Sequence, residues 1–447
     1  MKKINFSILR LQRRVFLNYL EGTCSKIMLN SQKITTYFMA LSIFKVEFFF
    51  SIAALFGYIY LGSDSSAIFI ILMTGIGIIN IGLSLLALLT SRKIKIRDIG
   101  ILIGFPIFVL ASLILGIISS TSAISLQQSQ FNSFLAFSLP SLFIGYYLAK
   151  KEIDLFIPIS IAMISITAGS IASILLPFIS GVGFSIMGGA SYQAASYYTA
   201  FAYGLNLYIL LYSSNHAESG ASSSLFIKFI QTILLLLQVI MVLIPGGRGA
   251  FVLMIVYSFM AFSKLITRRN AVKITLELLL FVFLAYIISK IFPIMLENPI
   301  FQRGFNRAVA FIGPGGAINW EGSSGRQPIY LESINLFKLS PVYGYGLYGY
   351  FSKVSYRGYP HNFFLEILLQ GGLLYLTIWL FFLGYLARKQ FYLIKLDRKN
   401  KILFYLGLYP AVMLMFSGSY LTDGLFWFVV SFLLIRKDCS GFSRIKN

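Results

Sequence analysis

Residues 67–90 read AIFIILMTGIGIINIGLSLLALLT, without one charged side chain. Crossing roughly 30 Å of hydrocarbon takes about 20 apolar residues in a helix, and within lipid a helix satisfies its own backbone polar groups. This stretch therefore predicts a transmembrane helix. Further apolar runs lie at approximately 37–62, 99–119, 133–149, 155–180, 198–213, 225–244, 250–265, 274–294, 361–387, 402–417 and 424–436. The expectation is an all-α polytopic membrane protein of about twelve spans. Lys45 and Glu47 interrupt the first run, and the last run is short. Composition agrees, with 57% hydrophobic and 12% charged residues and a mean hydropathy of +0.81. Such a chain lacks the charge that a water-facing surface needs, which excludes a soluble domain.

Positive residues are retained on the cytoplasmic side of a membrane. Of 37 lysines and arginines, 27 fall before the first run, at Arg92–Arg97, Lys150–Lys151, Lys264–Lys273 and Arg388–Lys401, or from Arg436 onward. Both termini are thus expected inside, and alternation places Gly246–Gly249 and a long polar loop outside. The division expected is a cytoplasmic amphipathic segment at 1–36, nine helices over 37–294, a large periplasmic or extracellular loop at 295–360, three helices over 361–436 and a cytoplasmic tail at 437–447. Within the first segment, Ile4, Ile8, Leu11 and Val15 alternate with Arg10, Arg13 and Arg14 as in a helix lying on a membrane surface. Topology and attraction to anionic lipid account for the net charge of +22 without nucleic acid. Cys24 and Cys439 both fall on the inner face, where no disulfide is expected. The irregular parts are Ser63–Ser66, Gly181–Tyr198 and the long loop, where Gly313-Pro314-Gly315-Gly316 forbids continuous helix; a short helix is expected near Gln327–Leu336.

The chemistry concentrates on that outer face. Pro245-Gly246-Gly247-Arg248-Gly249 separates two apolar runs, and glycines around an arginine allow a tight turn and close approach of a ligand. A guanidinium suits phosphate oxygens because it presents several donors in one plane, although an arginine at a helix end also snorkels to the interface. The loop gathers Arg303, Arg307, Arg326, Lys338, Lys353 and Arg357. His361-Asn362 then opens the next span, on which Asn362, Glu366 and Gln370 form one stripe at helical spacing. That stripe faces the bundle interior, as hydrogen-bonding glue or as chemistry. Trp320, Tyr330, Tyr343 and Tyr345 offer ring faces for sugars, and interfacial aromatic anchoring is the alternative.

The series Gly-Gly-Arg-Gly at 246–249, Gly325-Arg326, Ser340-Pro341 with Gly344-x-Gly346, and His361-Asn362-x-x-Leu365 followed by Gly371-Gly372-Leu373 resembles the O-antigen polymerase and O-antigen ligase superfamily. The resemblance covers approximately residues 200–436. It implies a metal-independent helical membrane glycosyltransferase, without cofactor, whose donor is an undecaprenyl-diphosphate-linked oligosaccharide. It also implies that Arg248, Arg326 and His361 surround the diphosphate, with Arg303 and Arg307 as further candidates. Tyr330 stands where the family often has tryptophan. Breaking a glycosyl-diphosphate bond builds negative charge on the leaving oxygen, which fixed cations stabilise. The acceptor hydroxyl needs a base, for which His361, Glu321 and Glu366 are the candidates. Polymerisation of repeat units is the reading preferred here, ligation of glycan to lipid A core is its alternative, and a polysaccharide flippase is the rival of another class. Expected partners are membrane lipid, a chain-length regulator and a flippase, and the expected location is the inner membrane.

Overall fold

The computed structural model describes residues 34–56, 67–91, 96–120, 124–181, 191–213, 225–266, 290, 293–310, 312, 319, 326–356 and 358–436. The amphipathic segment, both cysteines, Trp320, Glu321, Arg357, the 313–316 turn, the Ser63–Ser66 turn and nearly all of the run 274–294 lie outside the described residues. Helices in chain order are α1 (Lys45–Leu55), α2 (Ala67–Thr90), α3 (Ile96–Ser119), α4 (Ile124–Lys150), α5 (Phe156–Ile179), α6 (Tyr192–Tyr212), α7 (Leu225–Leu243), α8 (Arg248–Ile266), α9 (Pro299–Val309), α10 (Arg326–Leu339), α11 (Phe363–Leu396), α12 (Lys401–Phe416) and α13 (Gly424–Ile435). No β-strand occurs among the described residues. Six helices among them are long and apolar enough to cross a membrane, or seven with the pair Ile34–Phe44 and Glu47–Leu55, which meets at 90°. Twelve spans is therefore more than the described helices display; the apolar part of α8, Arg248–Phe262, and α13 are shorter.

Proline shapes two of the spans. In α4 and α5 the helix widens to a π turn at Phe134–Ser138 and Ile171–Leu175, each just ahead of Pro140 or Pro177. A proline donates no backbone hydrogen bond and its ring crowds the preceding turn, so the backbone there takes up a looser winding.

Helix α6 is the axis of the bundle. It packs against α5, α7, α8 and α12, and most of its residues are buried. Small residues allow the close approach: a Cβ on Gly204 would sit 2.3 Å from the Tyr257 ring of α8. Polar side chains then join helices where no water is available. Asn206 Nδ2 donates to Gln238 Oε1 at 3.1 Å, Gln238 Nε2 to Thr167 Oγ1 at 2.7 Å, and Tyr203 shares a hydrogen bond of 2.7 Å with Ser258. The sequence reading left Gly181–Tyr198 irregular, yet α6 begins at Tyr192. Ser191 is the reason, because its side chain caps the helix by accepting from Ala194 N.

Helix α11 is broken. Gly371 and Gly372 leave helical geometry, Gly372 with φ +62°, and the Ser340–Gly346 turn fills the gap. Tyr345 and Gly346 N–H donate to Leu369 and Gln370 O at 2.9 and 2.8 Å, while Leu373 N–H donates to Pro341 O at 2.8 Å. A broken helix in a membrane is tolerable only where protein satisfies the freed backbone groups. The paired motifs Ser340-Pro341…Gly346 and Gly371-Gly372 are the two halves of that one joint.

Candidate functional site

The turn Pro245–Gly247 ends α7, and Arg248 opens α8. Helix α9 lies directly on this turn. Gly246 has φ +74°, and a Cβ there would meet Gly304 O at 2.2 Å, so neither turn conformation nor contact admits another residue easily. The contact carries polar ties as well. Arg248 Nε donates to Arg307 O at 3.0 Å, and Arg307 Nη1 reaches Pro245 O at 3.5 Å. The Arg307 guanidinium also stacks over the Tyr192 ring, 4.6 Å from its centre.

Arg248, Arg307 and Arg326 line one cleft, together with Gly246–Gly249, Tyr192, Gln193 and Tyr197. Arg326 arrives from the first residue of α10, and Arg307 from the last turn of α9. Arg326 and Arg307 both act electrostatically on Arg248. Three like charges around one small opening repel, and an anion with several oxygens relieves that repulsion. Arg303, one turn earlier on α9, is exposed and does not line the cleft. Tyr192, Gln193 and Tyr197 were not singled out from sequence. The available signal was Ser191 as a helix cap, which would have put the polar start of α6 beside the arginine turn.

His361 stands just ahead of α11, half-buried and with φ +54°, a left-handed conformation unusual for a side chain with a Cβ. Asn362 caps the helix by accepting from Phe364 and Leu365 N at 3.1 Å each. The imidazole packs edge-on against Tyr359 at 4.7 Å, and its Nδ1 is buried with no hydrogen-bond partner among the described residues. His361 does not line the arginine cleft, but the Arg326 charge reaches it. Burial first, then Arg326, pushes its pKa down to about 4, so the imidazole is neutral at neutral pH.

Glu366 and Gln370 share a buried face of α11, as the stripe predicted. Gln370 Nε2 donates to Glu366 Oε1 at 3.1 Å, Ser419 Oγ donates to the same oxygen, and Tyr420 donates to Gln370 Oε1. Glu366 is 1% exposed and lines neither the arginine cleft nor the cavity beside it. Among the tyrosines, Tyr343 is exposed, Tyr345 donates to Leu336 O at 2.8 Å, and Tyr330 is half-buried and near enough to bear on Tyr197. Tyr348 and Tyr350 are packed in the core instead.

No curated protein and no solved structure matches the chain. The model of the family described as O-antigen ligase matches residues 233–380. That stretch contains Arg248, Arg307, Arg326 and His361, and with it the joint between the 340–346 turn and the break in α11. Over residues 233–380 the chain is thus similar to O-antigen ligases, which supports the resemblance to the O-antigen ligase and polymerase superfamily.

Proposed function

We propose that the protein polymerises undecaprenyl-diphosphate-linked oligosaccharide repeat units into O-antigen or a related surface polysaccharide, on the outer face of the cytoplasmic membrane. The observation that carries this reading is the convergence of Arg248, Arg307 and Arg326 on one cleft, with His361 within reach of the Arg326 charge. In the reaction an acceptor hydroxyl attacks the anomeric carbon, the bond from that carbon to the diphosphate oxygen breaks, and the lipid diphosphate departs. The three guanidinium groups hold the diphosphate and stabilise the charge that grows as it leaves. The hydroxyl proton passes to a base, and His361, neutral and with a nitrogen unpartnered among the described residues, is the first candidate. Glu321 and Glu366 are the others.

Ligation of the glycan to lipid A core is the second reading, and the family's own description as a ligase favours it. The donor chemistry is identical and only the acceptor differs. A deletion strain separates the two: lipopolysaccharide with a single repeat unit identifies a lost polymerase, whereas bare core with free lipid-linked polymer identifies a lost ligase. Unchanged lipopolysaccharide and capsule would overturn both.

A further inference from the structure

Beside the arginine cleft lies a second, larger cavity of about 310 Å³, within the range of roughly 300–1,000 Å³ typical of small-molecule sites. Gln193 and Tyr197 line both, so the two spaces adjoin across the first turns of α6. The character of the lining reverses there. The lining of the larger cavity includes Glu47 from α1 and Asp423 at the cap of α13, each 8% exposed, with Tyr198 and Tyr409. Both carboxylates act on the Tyr409 hydroxyl, so they face one region of the cavity. Phosphate oxygens are repelled from two carboxylates, and a lipid tail gains nothing from carboxylates and tyrosine hydroxyls. Hydroxyl and amino groups on a sugar ring donate to carboxylates and stack on tyrosine faces.

We infer that this cavity holds the acceptor glycan, a neutral or amino-bearing sugar, with Glu47 as an acceptor-binding residue that also excludes acidic sugars. The assignment rests on the glycosyl-transfer reading and deepens it. A diphosphate at the arginines and a hydroxyl-rich ring at the carboxylates would present an acceptor hydroxyl toward the donor across Gln193 and Tyr197. Glu47 belongs to the amino-terminal part of the chain, outside the stretch matched by the family. Acceptor choice would therefore be set by a different part of the protein from the one that handles the diphosphate.

The test uses the purified full chain and a diazirine-tagged oligosaccharide, released without lipid or phosphate from the source cell's own lipid-linked repeat unit. Cross-links are expected in peptides spanning 191–198 and 417–425, reduced at least about tenfold by Glu47→Gln and unaffected by Arg248→Ala. With the same oligosaccharide as acceptor, Glu47→Gln should raise the acceptor KM about tenfold while leaving the donor KM unchanged. Asp423→Asn, which keeps the helix cap, gives a second variant should Glu47→Gln fold poorly, and the same loss of cross-linking is expected. Cross-links elsewhere, labelling of both carboxylate variants equal to that of the wild type, or an acidic sugar at the acceptor end of the natural repeat unit would each overturn the proposal. A wild-type enzyme that cross-links as described but never cleaves the lipid-linked donor would instead overturn the transfer reading and leave the sugar cavity standing.

Discussion

At the scale of single residues, Arg248 and His361 carry the sharpest expectations. The Nε of Arg248 is already engaged by Arg307 O, which aims the remaining guanidinium donors into the cleft. Lysine keeps the charge but loses both the anchor and the planar fork. Arg248→Lys should therefore be nearly as damaging as Arg248→Ala, each lowering kcat/KM by about 10- to 100-fold for one or two charge-assisted hydrogen bonds lost. Full polymer length in cells expressing normal amounts of the lysine variant would remove the bidentate role. For His361 the sign of the pH effect decides the role. A base works only when neutral, and with its pKa at about 4 the imidazole is neutral above that value. If His361 is the base, kcat/KM should hold from neutral pH down to about 4 and fall below it; a residue needed in its charged form would give the opposite slope, with activity falling as pH rises through about 4. His361→Arg extends the comparison, because arginine binds phosphate but accepts no proton. Activity well above that of His361→Ala would assign the position to phosphate binding.

At the scale of elements, the functional groups depend on two joints. One is the seat of α9 on the Pro245–Gly247 turn, the other the docking of the 340–346 turn into the break of α11. Gly372 tests the second. Its φ is +62°, and an added Cβ would lie 2.3 Å from Val342 O. Gly372→Ala should cost about 1–3 kcal/mol from backbone strain alone, and contact with Val342 adds to that. The measurement is the thermal midpoint in detergent, with activity at low temperature as a companion. An unshifted midpoint would show that the break is not held by this joint. The joint also bears on His361, since α11 carries that residue at its entrance.

At the scale of the whole molecule, α6 separates two polar ends. Its first residues line the arginine cleft, and its last, Tyr212, accepts from Lys401 Nζ at 3.4 Å in the basic connection between α11 and α12. Twenty-one residues of helix span about 30 Å, the thickness of the hydrocarbon. The cleft and the lysine-rich connection thus stand a bilayer apart. With positive residues retained inside, the proposed function requires the cleft to face outside, where lipid-linked glycan is exposed. Three guanidinium groups in the cleft fit a charge-stabilising role that needs no metal ion. Activity of the purified protein should accordingly survive excess chelator, and loss of activity restored by magnesium would overturn that expectation.

What the sequence by itself determined is the class of molecule and the identity of the charged groups. Apolar runs of spanning length and the placement of lysine and arginine are local properties, and neither depends on which helix lies beside which. Arg248, Arg326 and His361 were legible because glycine, proline and helix-cap signals surround them in the chain. Which arginines come together was decided by tertiary structure. Arg303 and Arg307 are equivalent in sequence, four residues apart on one helix, but the close contact of Gly304 with the 244–246 turn brings Arg307 to the cleft and leaves Arg303 exposed. Likewise Glu47 read only as an interruption of an apolar run, and no sequence pattern marked Asp423. The cavity they share is built from α1, α2, α4, α6, α12 and the residues around the start of α13, which lie far apart in the chain. Packing of a buried axis helix against its neighbours is a property of the assembled bundle, since small residues such as Gly204 state that something approaches closely but not what.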